Sequence, residues 1–188
     1  MTLAVQIEKK LAIQNSWLKD VALIVAGSLL IAASAQVRIY LPGTPVPLTL
    51  QTLVVLLIGA AFGAWRGGAA AATYLAAGSL GLPFFAGLKG GALALLGPTG
   101  GYLLGFVLAA ILVGWLAEQR LDRKWTSALP VFLAGLAVIY LCGTLWLSLF
   151  VGGISQALAA GVMPFIFGDL IKISAAGLLL PAAWRLMK

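Results

Sequence analysis

From Val21 to Val37 the chain carries no charged side chain, and the same holds for Leu50 to Trp65, Ala69 to Leu80, Gly100 to Leu116 and Leu129 to Val151. A helix needs about 20 mainly apolar residues to cross a hydrocarbon core of about 30 Å. A last apolar segment, Met163 to Trp184, has that length but contains Asp169 and Lys172. Six segments of this kind predict an all-α integral membrane protein, a bundle of six transmembrane helices over 21–37, 50–65, 69–80, 100–116, 129–151 and 163–184. The composition agrees, with 62% hydrophobic and 9% charged residues against about 25% charged in soluble domains. In 188 residues there is no room for several independent domains, so residues 1–188 are read as a single transmembrane domain.

Asp169 and Lys172 stand three apart, so on a helix they leave the same face and can meet each other or a common ligand. A charge at membrane depth costs roughly 3 kcal/mol on insertion scales, which makes such a residue a functional-site candidate. The alternative is a structural ion pair joining two helices.

The connectors narrow the setting. Pro42, Gly43, Pro45 and Pro47 make the first one stiff and extended. Arg66-Gly67-Gly68 reads as a turn. The glycine-dense stretch from Gly81 to Tyr102 reads as irregular backbone that approaches something closely, and at membrane depth such backbone survives only inside protein or beside a cavity. Within the spans, Ala22 and Ala26, Gly59 and Gly63, and Gly101 and Gly105 are small residues four apart that let another helix come near. The 129–151 and 163–184 spans are joined over Gly152 to Gly161 by a loop with room for a short helix.

Charge sets the orientation. With six spans, Lys9, Lys10, Lys19, Arg66, Arg120, Arg123, Lys124, Arg185 and Lys188 share one side, while Arg38 and Lys89 occupy the other. The positive-inside rule then places both termini in the cytoplasm. The net charge of +7 is accounted for by orientation, since the cations are scattered singly and form no stripe for nucleic acid. The first apolar run, preceded by Glu8, Lys9, Lys10, Lys19 and Asp20, has no convincing cleavage site and reads as a retained span. One cysteine, Cys142, and no histidine exclude an internal disulfide and leave no transition-metal cluster.

On this topology Asp169 lies about 9 Å below the external start of its helix at 1.5 Å per residue, beneath three irregular loops. The expected site is a pocket for a compact ligand with apolar and polar parts. Asp169 would accept N–H groups and Lys172 would donate to an oxygen. Tyr40, Phe84, Phe85, Tyr102 and Phe165 are aromatic candidates for its walls, and core packing explains them equally. Lys89 is either a ligand contact or an external rim charge. Thr49 and Gln51, at the mouth of the second span, are either hydrogen-bond donors or interfacial caps. There is no G-x-x-x-x-G-K-[ST] loop, no G-x-S-x-G elbow, no H-E-x-x-H and no second intramembrane carboxylate, so an enzyme is a poor reading. A proton-coupled carrier stays open, because one buried Asp can serve as a proton site.

Four stretches in order carry a family resemblance: Leu41-Pro-Gly-Thr-Pro-Val-Pro-Leu-Thr-Leu-Gln51, Gly78-Ser-Leu-Gly-Leu-Pro-Phe-Phe-Ala-Gly87, Gly97-Pro-Thr-Gly-Gly-Tyr102 and Pro164-Phe-Ile-Phe-Gly-Asp-Leu-Ile-Lys172. Together they closely resemble the BioY family, the biotin-specific substrate-binding (S) components of energy-coupling-factor (ECF) vitamin transporters. The resemblance spans about Ala22 to Ala176. It implies a six-helix bundle in a bacterial-type cytoplasmic membrane that captures biotin from outside, without a cofactor. It also implies delivery through a transmembrane coupling protein and two cytoplasmic ATPases. By the same resemblance Ala22 and Ala26 face the coupling protein, and Asp169 and Lys172 hold the ureido ring of biotin. The thioether ring would lie against Phe84, Phe85 or Tyr102, and Lys89 or Arg38 would face the carboxylate. A stand-alone or proton-coupled vitamin carrier is the alternative.

Overall fold

A computed structural model of the chain describes residues 2–4, 6 and 16–186. Glu8, Lys9, Lys10 and Lys188, which entered the charge argument, lie outside the described residues.

The first long helix, α1 (Ser16–Gln36), ends where the chain turns into a two-stranded antiparallel ribbon, β1 (Arg38–Ile39) and β2 (Leu48–Thr49), with Arg38 opposite Thr49 and Ile39 opposite Leu48. The prolines fall in the segment this ribbon encloses, where no ladder hydrogen bond is required of them. Then follow α2 (Gln51–Phe62), α3 (Ala64–Ser79), the short α4 (Ala92–Leu95), α5 (Gly100–Glu118), α6 (Trp125–Val151), α7 (Ile154–Gly161) and α8 (Ile166–Leu186). Helices α1, α5, α6 and α8 are long and apolar enough to cross a membrane. At 12 and 16 residues, α2 and α3 reach about 18 and 24 Å at 1.5 Å per residue.

The reversal expected at Arg66-Gly67-Gly68 occurs earlier, at Gly63, whose φ of 89° is open to glycine at little cost. The chain doubles back there so tightly that a Cβ built on Gly67 would stand 2.8 Å from the Gly59 Cα. Glu118, at the end of α5, accepts the Ala64 N–H at 2.9 Å. The carboxylate thus serves one of the unpaired amides at the positive end of α3, and Arg66 pairs with Asp20 of α1 at 2.6 Å.

Small residues set how closely the helices approach. A Cβ on Gly59 would come within 2.7 Å of the Ala110 carbonyl of α5. Gly101 and Gly105 lie against Cys142, Trp146 and Ile139 of α6. Helix α1 closes on the bundle through Gly27, packed on Ala70, whereas Ala22 and Ala26 are exposed. Ile31, Val55, Leu56, Tyr74, Val113, Phe132, Ile139 and Leu147 form the interior, nearly or fully shielded. Exposed residues on the long helices are largely apolar, among them Leu29, Leu108, Leu141, Leu145 and Leu178. A surface of this kind matches hydrocarbon rather than water.

Candidate functional site: a cavity closed by an Asp–Lys pair

Beside the ribbon lies a cavity of about 320 Å3, walled by the Tyr40–Thr52 segment, the Phe85–Thr99 connection and helices α5, α6 and α8. Its polar end is built on α8. The Lys172 Nζ donates to Asp169 Oδ1 at 2.7 Å, to the Thr49 carbonyl at 2.6 Å and to Thr52 Oγ1 at 3.2 Å. These three acceptors match the three protons of an ammonium. Asp169 Oδ1 also accepts the Thr52 hydroxyl at 3.0 Å, and Oδ2 accepts the Tyr140 hydroxyl at 2.7 Å.

The pair is almost sealed, with side-chain exposures of 4% for Asp169 and 11% for Lys172. Two charges taken out of water need both mutual attraction and further hydrogen bonds, and here both are present. Asp169 lies in the first turn of α8, where the helix dipole favours a negative charge. One lone-pair direction on Oδ2 stays unused by side chains, so the carboxylate can still accept a ligand N–H. Lys172 can serve a ligand oxygen by yielding its longest contact, the one to Thr52.

Gln51 is buried and donates to the Tyr74 hydroxyl at 2.7 Å, while its backbone N–H is capped by Thr49 Oγ1 at 3.2 Å. Thr49, one residue before the N-cap position Leu50, thus holds the first amide of α2 and also lines the cavity. Tyr102 is wedged between Gly143, where a Cβ would overlap its ring, and Gly161, where a Cβ would overlap its hydroxyl, and that hydroxyl donates to the Gly161 carbonyl at 2.8 Å. Phe85, Phe106, Phe165, Leu103 and Ile139 provide apolar wall. Lys89 and Tyr40 line the cavity from exposed positions at its rim.

The structure thus brings Asp169, Lys172, Thr49, Gln51, Tyr102, Phe85 and Lys89 to one cavity. Phe84 is not in its wall and stacks on Tyr74 with centroids 6.3 Å apart. Arg38 stays with its neighbours, donating to the Gln36 side chain at 3.3 Å and lying 5.7 Å from the Tyr40 ring centroid. Two residues around the charged pair escaped sequence reasoning, Thr52 and Tyr140. Tyr140 carried a usable signal, as a hydroxyl amid the apolar residues of α6. Thr52 differs in nothing from a threonine facing lipid. Among the described residues no three His, Cys, Asp or Glu side chains gather to hold a metal ion.

Several long lipid-compatible helices around a mostly apolar cavity with one polar end define a multi-pass membrane protein with a cavity of small-molecule size. The chain belongs to the BioY family, whose sequence pattern matches residues 6–188. It is similar to the biotin transporter BioY of Thermotoga maritima, 45% identical over 150 residues that cover 80% of this chain and 86% of the relative. The biotin transporter BioY of Rhodobacter capsulatus is 37% identical over 171 residues, covering 85% and 90% of the two chains. The crystal structure of an S-component for biotin from an ECF-type ABC transporter superposes with a TM-score of 0.83 at 25% identity, over 92% of this chain and 95% of that one.

Proposed function

We propose that this chain is the biotin-binding S component of an ECF-type vitamin uptake transporter. The observation that carries the reading is the sealed Asp169–Lys172 pair at the polar end of the cavity in a chain of the BioY family. Biotin joins a ureido ring, an apolar thioether ring and a carboxylate on a flexible chain, and the residues lining the cavity offer a partner for each. Asp169 Oδ2 accepts a ureido N–H and Lys172 donates to the ureido oxygen. Phe85 and Tyr102 supply surface for the thioether ring, Thr49 and Gln51 hold the mouth of α2, and Lys89 meets the carboxylate. Lys89 is preferred to Arg38 because it lines the cavity, whereas the Arg38 guanidinium is engaged by Gln36 and Tyr40. Phe84 supports the wall through its stack on Tyr74.

In this reading the whole chain is one transmembrane domain of six spans, the shorter two being α2 and α3, with both termini in the cytoplasm of a bacterial-type cell. The cavity then opens outward. The chain has no G-x-x-x-x-G-K-[ST] phosphate loop, and transport runs through a transmembrane coupling protein and two cytoplasmic ATPases, with Ala22 and Ala26 on the docking face of α1. Isothermal titration of the purified chain with biotin tests the binding reading, and a chain that folds but takes up no biotin would sink it. Uptake in vesicles with and without the coupling module tests the partnership. Biotin accumulated by this chain alone under a proton gradient would point to a self-sufficient carrier.

A further inference from the structure

The turn that carries Phe85 and Lys89 into the cavity wall is held by a side chain outside that wall. Gln36, the last residue of α1, donates through Nε2 to the carbonyls of Phe85 at 3.2 Å and Phe84 at 3.4 Å, and to Ala32 in its own helix at 3.2 Å. Its Oε1 accepts the Leu88 N–H at 3.1 Å and Arg38 Nη1 at 3.3 Å. Three carbonyls on one side and two N–H groups on the other admit only one orientation of the amide.

The two arms of the turn are paired with each other, the Phe85 N–H donating to the Lys89 carbonyl at 2.9 Å. Between them Leu88 has a φ of 56°, a left-handed conformation that a branched residue takes only when its surroundings impose it. The Leu88 N–H is the group that Gln36 accepts. Nothing in the local sequence requires that conformation of a leucine, so the amide from α1 stabilises a backbone that the turn by itself disfavours.

We infer that Gln36 is a positioning residue of the ligand site, fixing the Phe85–Lys89 turn so that the Lys89 ammonium is presented at the cavity rim to the ligand carboxylate. The inference rests on the proposed biotin reading and deepens it. Gln36 touches no ligand and acts through the turn. Because it belongs to α1, it also ties the rim to the helix that carries Ala22 and Ala26 in its first half and at its middle.

The test compares biotin with its neutral methyl ester, titrated calorimetrically into the full purified chain. The wild type should prefer biotin, and Lys89→Met should reduce that preference about tenfold, as expected for loss of one charge-assisted contact. Gln36→Leu should reduce it by a similar factor, and the double variant should lose no more than either single one. Asp169→Asn, at the other polar group, should weaken both ligands alike and leave their ratio unchanged. Should Gln36→Leu fail to fold, Gln36→Glu keeps the Leu88 acceptor but not the donors, and the same loss of ratio on a smaller scale is expected. A wild-type ratio in the folded Gln36 variant overturns the inference, and so does a wild type that binds biotin and the ester equally. A wild type that binds neither ligand overturns the biotin reading itself.

Discussion

Lys172 Nζ and Asp169 Oδ1 lie 2.7 Å apart on one helix turn, yet the groups that complete the pair come from other helices, Thr52 from α2 and Tyr140 from α6. The pair is therefore also a junction of three helices. Each partner keeps the other supplied while the cavity is empty, and each has a way to share with a ligand.

Breaking the junction should be costly on either side. Asp169→Asn and Lys172→Gln, made separately, should each weaken biotin binding by about 1–3 kcal/mol, the usual cost of leaving a buried polar group without its partner. Titration calorimetry on the folded variants decides this. Unchanged affinity together with a lowered thermal midpoint would return the pair to a purely structural role.

Tyr140→Phe removes one hydroxyl and little volume. It should weaken biotin binding by about 1.5–3 kcal/mol, in line with one hydrogen bond to a charged group, and lower the melting midpoint, since the buried carboxylate loses one of the hydrogen bonds that offset its burial. An affinity equal to the wild type would mean that the hydroxyl and the ligand do not share the carboxylate.

Ala22→Leu and Ala26→Leu alter an exposed strip of α1 while the interior contact at Gly27 is retained. Both should bind biotin as the wild type does and lose uptake when expressed with the coupling protein and ATPases. A loss of binding in the isolated chain would assign this strip to the bundle instead.

Gly143 leaves no room for a methyl group, because the Tyr102 ring occupies the place of its Cβ. Gly143→Ala should destabilise the fold by about 1–3 kcal/mol, the range for an overpacked interior, and should weaken biotin binding as Tyr102 is pushed into the cavity. Thermal unfolding and titration report the two effects independently, and an unchanged midpoint would contradict the packing described.

A second buried carboxyl, in the connector between α5 and α6, predicts a pH effect. Asp122 is almost fully shielded and accepts the Trp184 indole N–H, while the Arg123 guanidinium lies 4.5 Å from the centroid of the Trp184 ring. Burial raises the Asp122 pKa above the ordinary aspartate range, only partly countered by the indole donor. The unfolded chain thus ionises this carboxyl at lower pH than the folded one, and between the two values unfolding releases a proton. Stability should fall as pH rises through that window, starting from the ordinary aspartate value. The melting midpoint of the wild type should climb on acidification from neutral pH more than that of Asp122→Asn, and parallel slopes would exclude the effect.

Much of the fold was legible because membrane insertion is written in local terms. An apolar run long enough for the bilayer declares a helix wherever it occurs, which placed α1, α5, α6 and α8 near their observed positions. The Gly63 reversal was harder to read. Gly63 looked like a packing glycine paired with Gly59, while Arg66, Gly67 and Gly68 looked like a turn, and only the fit of α3 against α1, α2 and α5 separates the two roles.

By itself, the sequence determined that the chain belongs among membrane-spanning helical proteins and that Asp169 and Lys172 share one helix face, since both follow from spacing along a single segment. The tertiary structure decided what surrounds them: the Thr49 carbonyl, Thr52 and Tyr140 at the pair, Phe85 rather than Phe84 in the wall, and Gln36 beneath the Lys89 turn. Those choices depend on how closely helices approach at Gly27, Gly59, Gly101 and Gly105. Close approach is a property of two surfaces meeting, and the periodicity of either one alone does not contain it.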